Sequence, residues 1–355
     1  MIRIIFRFRR IIPLLALLMM QCSRNIVIHE VPSIHANCSF KAQSILDLSE
    51  RPENYTGIDL DSSGNLVILH RAGHSFNNAS LIDEDTVAIY SLRDHRLLRT
   101  WGAGQFVVPH GITVDDRDDV WITDTGQNKV FKFSPTGELL KPYGEDYSVF
   151  TEACLRLRNI LPGLSCFLSK KQFARPTDVE VFSDGSFVVS DGYRNNRIVR
   201  MDAQGNVIWE VNRAGNEPGA FHLPHDLALD DRERILVADR RNSRIQLFNK
   251  DGQFLETWDR PELGRPYAID AAAGRIYVVD AGDSYEFDGG IERSRLLMLD
   301  SDGRLISSQE GFGSGIGEMR LPHDVAVSAN GEVFVAELVN DRVQSFRLSA
   351  PCASP

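Results

Sequence analysis

Residues 223–258, LPHDLALDDRERILVADRRNSRIQLFNKDGQFLETW, decide how the rest of the chain is read. DLALD alternates apolar and polar, as a half-buried strand does. A charged turn, DRER, leads into ILVAD, an apolar run of strand length. After a short loop SRIQLFN alternates again, and the tight-turn pair Asp-Gly opens a fourth strand, QFLETW. Four short strands joined by polar turns form one antiparallel sheet whose faces need partners to be buried.

The same grammar recurs along the chain. Inner strands read GITVD at 111–115, DVEVF at 178–182 and DVAVS at 324–328. Second strands read LVILH, VWITD, FVVSD, IYVVD and VFVAE, and third strands include NKVFKFS, NRIVRMD, SRLLMLD and DRVQSFR. Units begin near 56, 110, 177, 225, 267 and 323, a repeat of about 40 to 45 residues, as expected of propeller blades. The fold class expected is therefore all-β: a six-bladed β-propeller over 54–348, with first strands lining a central channel. The sixth unit stops after its third strand. The N-terminal segment 23–53, which contains NIVIHEV, is expected to supply the missing outer strand and close the ring. Residues 349–355 are a tail. The pattern breaks at 145–172, EDYSVFTEACLRLRNILPGLSCFLSKKQ, read as an inserted lid or loop.

Bulk composition is that of a soluble globular protein, 43% hydrophobic and 25% charged. The formal net charge of −10 lacks the basic footprint of a general nucleic-acid binder. The first 22 residues, MIRIIFRFRRIIPLLALLMMQC, place four arginines before an apolar stretch too short to span a bilayer, and read as an export signal. Cys22 resembles a lipoprotein site, but Gln21 stands where such signals want a small residue. Export to the periplasm or outside is expected, with membrane attachment only through this N-terminus, and a monomer is expected. Four further cysteines suit an oxidising compartment. Of three pairings, proximity in the chain favours Cys154 with Cys166, leaving Cys38 with Cys352; four free thiols are the alternative.

Three inner strands open on Pro-His: VPHGITVD, LPHDLALD and LPHDVAVS. A single histidine there would plug the channel. Aligned by unit, the position carries Thr56, His110, Thr177, His225, Tyr267 and His323. The histidines occupy alternate blades, about 120° apart around the axis of a six-bladed ring, and so converge on one point. Three imidazoles with an open fourth position describe a catalytic zinc site. At the ends of the second strands most units carry an acid: Asp124, Asp191, Asp239, Asp280 and Glu337. Arg71 follows His70, Arg240 follows Asp239, and Tyr193 comes two residues after Asp191. These arginines would ring the mouth above the metal and suit a carboxylate; surface ion pairing is the competing reading.

Those motifs carry a resemblance. The blades resemble NHL-type propellers. Over about 54–348 the chain looks like the peptidyl-α-hydroxyglycine α-amidating lyase family, on LVILHRAGHSFNN, DTVAIY, VWITDTGQNKVFKF, RPTDVEV, VVSDGYRNNRIV, VADRRNSRIQLF and the three Pro-His strands. The resemblance implies zinc on His110, His225 and His323. It also implies calcium held by the backbone carbonyls of Ile58 and Ile112 and the carboxylate of Asp324. Tyr193 would be the general base and Arg71 and Arg240 the substrate-binding arginines. The reaction implied cleaves a C-terminal α-hydroxyglycine, or a smaller derivative, to an amide and glyoxylate. A separate monooxygenase would supply that substrate. Departures are visible too: Leu321 stands where the family has methionine, and Ala174, Arg194, Leu236 and Leu247 where it has two disulfides. The rival expectations are a non-catalytic NHL propeller binding a protein or glycan, and a metal-dependent lactonase, whose carboxylate and amide ligands fit the histidines poorly.

Overall fold

The computed structural model describes residues 38–46, 53–158, 161, 164, 166–285, 289–349 and 352. Residues 223–258 fold as Pro224–Leu229, Ile235–Asp239, Arg244–Phe248 and Phe254–Trp258, one antiparallel sheet. Five further four-stranded sheets repeat it, at 55–101, 109–143, 178–212, 266–310 and 322–348, the last completed from the N-terminal side. These are blades 1, 2, 3, 5 and 6, with 224–258 as blade 4. Each inner strand packs against the inner strands of both neighbours, which closes the ring around a channel.

Phe40–Ile45 supplies the fourth strand of blade 6, antiparallel to Arg342–Leu348 with Phe40 opposite Leu348. The closing strand is therefore FKAQSI, whereas NIVIHEV lies outside the described residues, as does the whole export signal. Cys38 and Cys352 are disulfide-bonded beside this strand, and Cys154 is bonded to Cys166. Among the described residues no helix is long and apolar enough to cross a membrane.

Six apolar clusters fill the six gaps between neighbouring blades. This is why the second strands are apolar on both faces: each lies between two layers of its neighbours, and all five residues of Ile235–Asp239 are buried. The turns between third and fourth strands explain the recurring glycine. Gly137, Gly252 and Gly303 have positive φ and lie against Trp101, Trp209 and Trp258, the outer-strand aromatics of the preceding blade. A Cβ there would strike an indole ring, so the turn needs glycine for conformation and for contact.

The insertion is built on a helix, α1 (Val149–Arg158), whose Leu155 is buried. Arg194 donates to Glu152 of α1 at 2.9 Å, and Arg158 donates to the carbonyl of Arg194 and to Asn195 Oδ1. The helix is thus pinned to the loop that carries Tyr193.

Candidate active site

The inner strands fix the level of each site residue, and a β-bulge fixes its direction. Pairing between first and second strands slips between Pro109 and Ile112, Pro224 and Asp226, and Pro322 and Asp324. Strict alternation would send a histidine and the residue after it to opposite faces. The extra residue of the bulge lets both His225 and Asp226, and both His323 and Asp324, serve the channel.

His110, His225 and His323 are buried, and their candidate ligand nitrogens all lie within 4.8 Å of one another. Each Nδ1 meets the carbonyl of the same register in the next blade: His110 with Thr177 at 2.8 Å, His225 with Tyr267 at 2.7 Å, His323 with Thr56 at 2.8 Å. A carbonyl only accepts, so Nδ1 carries the proton in all three rings and each Nε2 presents its lone pair to the axis. Burial, then mutual repulsion and the charges of Arg71 and Arg240, hold the rings neutral. His110 and His225 are driven well below their ordinary pKa and His323 to about 3. Three neutral, oriented imidazoles are a donor set that could hold a metal ion such as zinc.

Tyr193 closes the group. Its hydroxyl lies 2.9 Å from His110 Nε2 and 3.3 Å from His225 Nε2, and its one proton can be donated to either, the shorter contact being to His110. Arg71 and Arg240 come from blades 1 and 4, opposite sides of the ring. Arg71 is buried, donates Nε to the Pro109 carbonyl at 3.1 Å, and is lowered to about 10 by burial, attraction to Tyr193 opposing the shift; it is a cation at neutral pH. Arg240 opens a 3-10 turn, Arg240–Asn242, and lies over Tyr267 with its guanidinium carbon 3.8 Å from the ring centre.

Ile58, Ile112 and Asp324 line a separate small cavity, of about 40 Å³, further along the channel. Asp324 accepts from the backbone N–H of Ile58 at 2.8 Å, joining blade 6 to blade 1. The cavity holds more acids than the sequence motifs singled out: Asp59, Asp178, Glu180, Asp226 and Asp270. Burial raises all of them, Asp59 to about 7, Asp270 to about 6, and Asp178, Glu180 and Asp226 well above the ordinary carboxylate range. Asp178 and Asp226 also repel each other, which adds to the rise at Asp226. The signal for Asp178 and Asp226 was in the sequence, since TDVEV and HDLAL repeat the aspartate of HDVAV, but the bulge beside Asp226 was not. Hard oxygens around a small cavity suit a calcium ion, whose charge would offset this crowding.

The acids ending the second strands are not rim residues. Asp124, Asp191, Asp239, Asp280 and Glu337 are fully buried. Asp239, for example, accepts from the His222 N–H, Asn242, Arg244 and Gln246, tying three segments of blade 4 together. Asp239 and Asp191 thereby fix the loops that carry Arg240 and Tyr193. Surface ion pairing fails for these acids, because a run such as ILVAD does not reveal that its last residue is buried.

A six-bladed propeller of NHL-type blades, with three imidazoles converging in its channel, defines the class. The NHL repeat model matches at 106–133, 173–201 and 221–248. The probable peptidyl-alpha-hydroxyglycine alpha-amidating lyase of Caenorhabditis elegans is 31% identical over 312 residues, covering 82% of each chain. The peptidylglycine alpha-amidating monooxygenase of Rattus norvegicus is 30% identical over 84% of this chain, which spans 31% of that longer protein. Among solved structures, virginiamycin B lyase from Staphylococcus aureus shares the fold, with a TM-score of 0.56 over 87% of this chain and 99% of that one at 14% identity. The chain belongs to the peptidyl-alpha-hydroxyglycine alpha-amidating lyase family, and it is an enzyme, a lyase.

Proposed function

We propose that this lyase cleaves a C-terminal peptidyl-α-hydroxyglycine, or a smaller α-hydroxyglycine derivative, to an amide and glyoxylate. The observation that carries this is the triad: three Nε2 lone pairs converging on one point, with the Tyr193 hydroxyl on two of them. His110, His225 and His323 would hold zinc; Asp324 with the carbonyls of Ile58 and Ile112 would hold calcium, a structural ion for the acidic channel. Zinc, when bound, supplies Lewis acidity that makes an α-hydroxyl easier to deprotonate.

The chain's own residues do the rest. Arg71 and Arg240 hold the substrate carboxylate between opposite blades. Tyr193, beside Arg71, acts as the general base for the α-hydroxyl proton. The oxygen's electron pair forms the aldehyde of glyoxylate, the C–N bond breaks, and the amide nitrogen keeps the pair and receives a proton, which Tyr193 can return. Leu321 stands in the buried wall two residues before His323. A monooxygenase supplies the hydroxylated glycine. The two disulfides suit an exported protein.

The test pairs metal analysis of purified protein with glyoxylate release from α-hydroxyhippurate. One zinc per chain and stoichiometric glyoxylate are expected. Zinc without glyoxylate would retire the reaction and keep the metal centre; protein that takes up no zinc would favour a binding propeller.

A further inference from the structure

One position recurs at the mouth of every blade, two residues before the histidine register: Asn54, Val108, Arg175, Leu223, Arg265 and Leu321. Two are cations. Arg265 is neutralised, its Nε donating to Asp283 at 2.7 Å. Arg175 has no carboxylate within ion-pair distance among the described residues. Glu152 attracts it from further off but is committed to Arg194 and Arg156, at 2.9 and 2.7 Å.

What Arg175 touches is aromatic. Its guanidinium carbon lies 5.0 Å from the centre of the Phe76 ring, and Arg71 lies 5.3 Å from the same ring. Tyr193 packs on Phe76 with ring centres 4.9 Å apart. Two guanidiniums therefore lie against one half-buried ring beside the phenol, and only one of them, Arg71, is assigned to the substrate carboxylate in the proposed function. The backbone does not account for an arginine here: φ at Arg175 is 61°, a conformation that favours glycine or asparagine. Partial burial penalises the charge, and the neighbouring Arg194 adds to that penalty. A cation kept there at a cost, without a counter-ion, is matched to an anion brought by a ligand.

We propose that Arg175 and Phe76 form a subsite for the residue preceding the hydroxyglycine, and that it selects an acidic side chain. This rests on the lyase reading, which takes the substrate as a peptide anchored by its C-terminal carboxylate at Arg71 and Arg240. The peptide leaves the channel past Phe76, whose face takes the side-chain methylenes, and Arg175 receives the carboxylate in a two-point ion pair.

Calorimetry on the zinc-loaded protein with N-acetyl-Glu-Gly and N-acetyl-Lys-Gly tests this without relying on turnover. The glutamyl peptide is expected to bind at least about tenfold more tightly, the scale of one charge-assisted pair. Arg175→Gly should abolish the preference while melting no lower than the wild type, since the left-handed backbone suits glycine; Arg175→Lys should keep part of it. Equal affinities in the wild type, no binding of either peptide, or a preference that survives Arg175→Gly would overturn the proposal. Running the α-hydroxylated versions of both peptides separates the two readings. A glutamyl preference in binding with no glyoxylate from either supports the subsite and removes the lyase chemistry instead.

Discussion

At the scale of single residues, the protonation pattern of the triad is the informative detail. The three carbonyl partners leave each imidazole one role, so removing a ring removes a ligand without offering a substitute. His225→Ala is expected to lose stoichiometric zinc and, with it, glyoxylate release; plasma emission analysis of the purified variant checks the first, and a full zinc content would end the ligand assignment. Tyr193 differs, because it touches the triad from outside the ligand set. Tyr193→Phe should keep zinc and lower kcat by about 10², the reach of a general base, with little change in KM. A variant with unchanged kcat would take the tyrosine out of the mechanism. The histidines and Tyr193 were legible in the sequence because blade periodicity places identical registers at one level. Arg175 was not: its significance lies in having no carboxylate at ion-pair distance among the described residues.

At the scale of elements, the insertion matters through one loop. α1 grips Arg194, the neighbour of Tyr193, by Glu152 and Arg158, and the Cys154–Cys166 bond closes the segment that carries α1. Replacing both cysteines with serine should loosen that segment while the blades stay folded. The expected result is a several-fold fall in kcat with zinc content intact, because a misplaced phenol is a lost near-attack geometry. Full activity in that double variant would make the insertion independent of the site. The sequence marked 145–172 as an interruption and favoured the local pairing. It did not say which loop the helix would hold, since that contact joins residues 42 apart through one ion pair, Glu152 with Arg194.

For the whole molecule, the channel carries a strain that pH can read. Asp59 is raised from 3.8 to about 7, and Asp178, Asp226 and Asp324 also lie well above their ordinary range, all chiefly by burial. A carboxyl raised in the folded state contributes stability that is present at low pH and lost as pH rises through its folded value. The triad histidines act in the opposite sense, but only below their ordinary pKa of about 6.5. From pH 6.5 through the folded value of Asp59, about 7, the carboxyls therefore dominate. In chelator the melting temperature should fall across that window, and added calcium should suppress the fall. A flat profile in chelator would show that the acids are not crowded enough to matter. The ring is also closed by distant parts of the chain, Phe40–Ile45 on Arg342–Leu348 with Cys38 bonded to Cys352. Cys352→Ser is expected to cost on the order of 5 kcal/mol, the upper range for a bond closing so long a loop. Denaturant unfolding measures it, and a loss near zero would mean that strand pairing alone holds the ring shut.

The sequence by itself determined the blades, because strand alternation, apolar second strands and glycine turns are local requirements repeated six times. It determined the histidine triad for the same reason: a repeat converts position in the chain into position around an axis. Only the tertiary structure decided which residues share the channel with that triad. The bulges that bring aspartates to the histidines' side, the burial of the second-strand acids, and the guanidinium left without a counter-ion beside Phe76 all depend on neighbours from other blades. Those are contacts between residues far apart in the chain, and no local pattern specifies them.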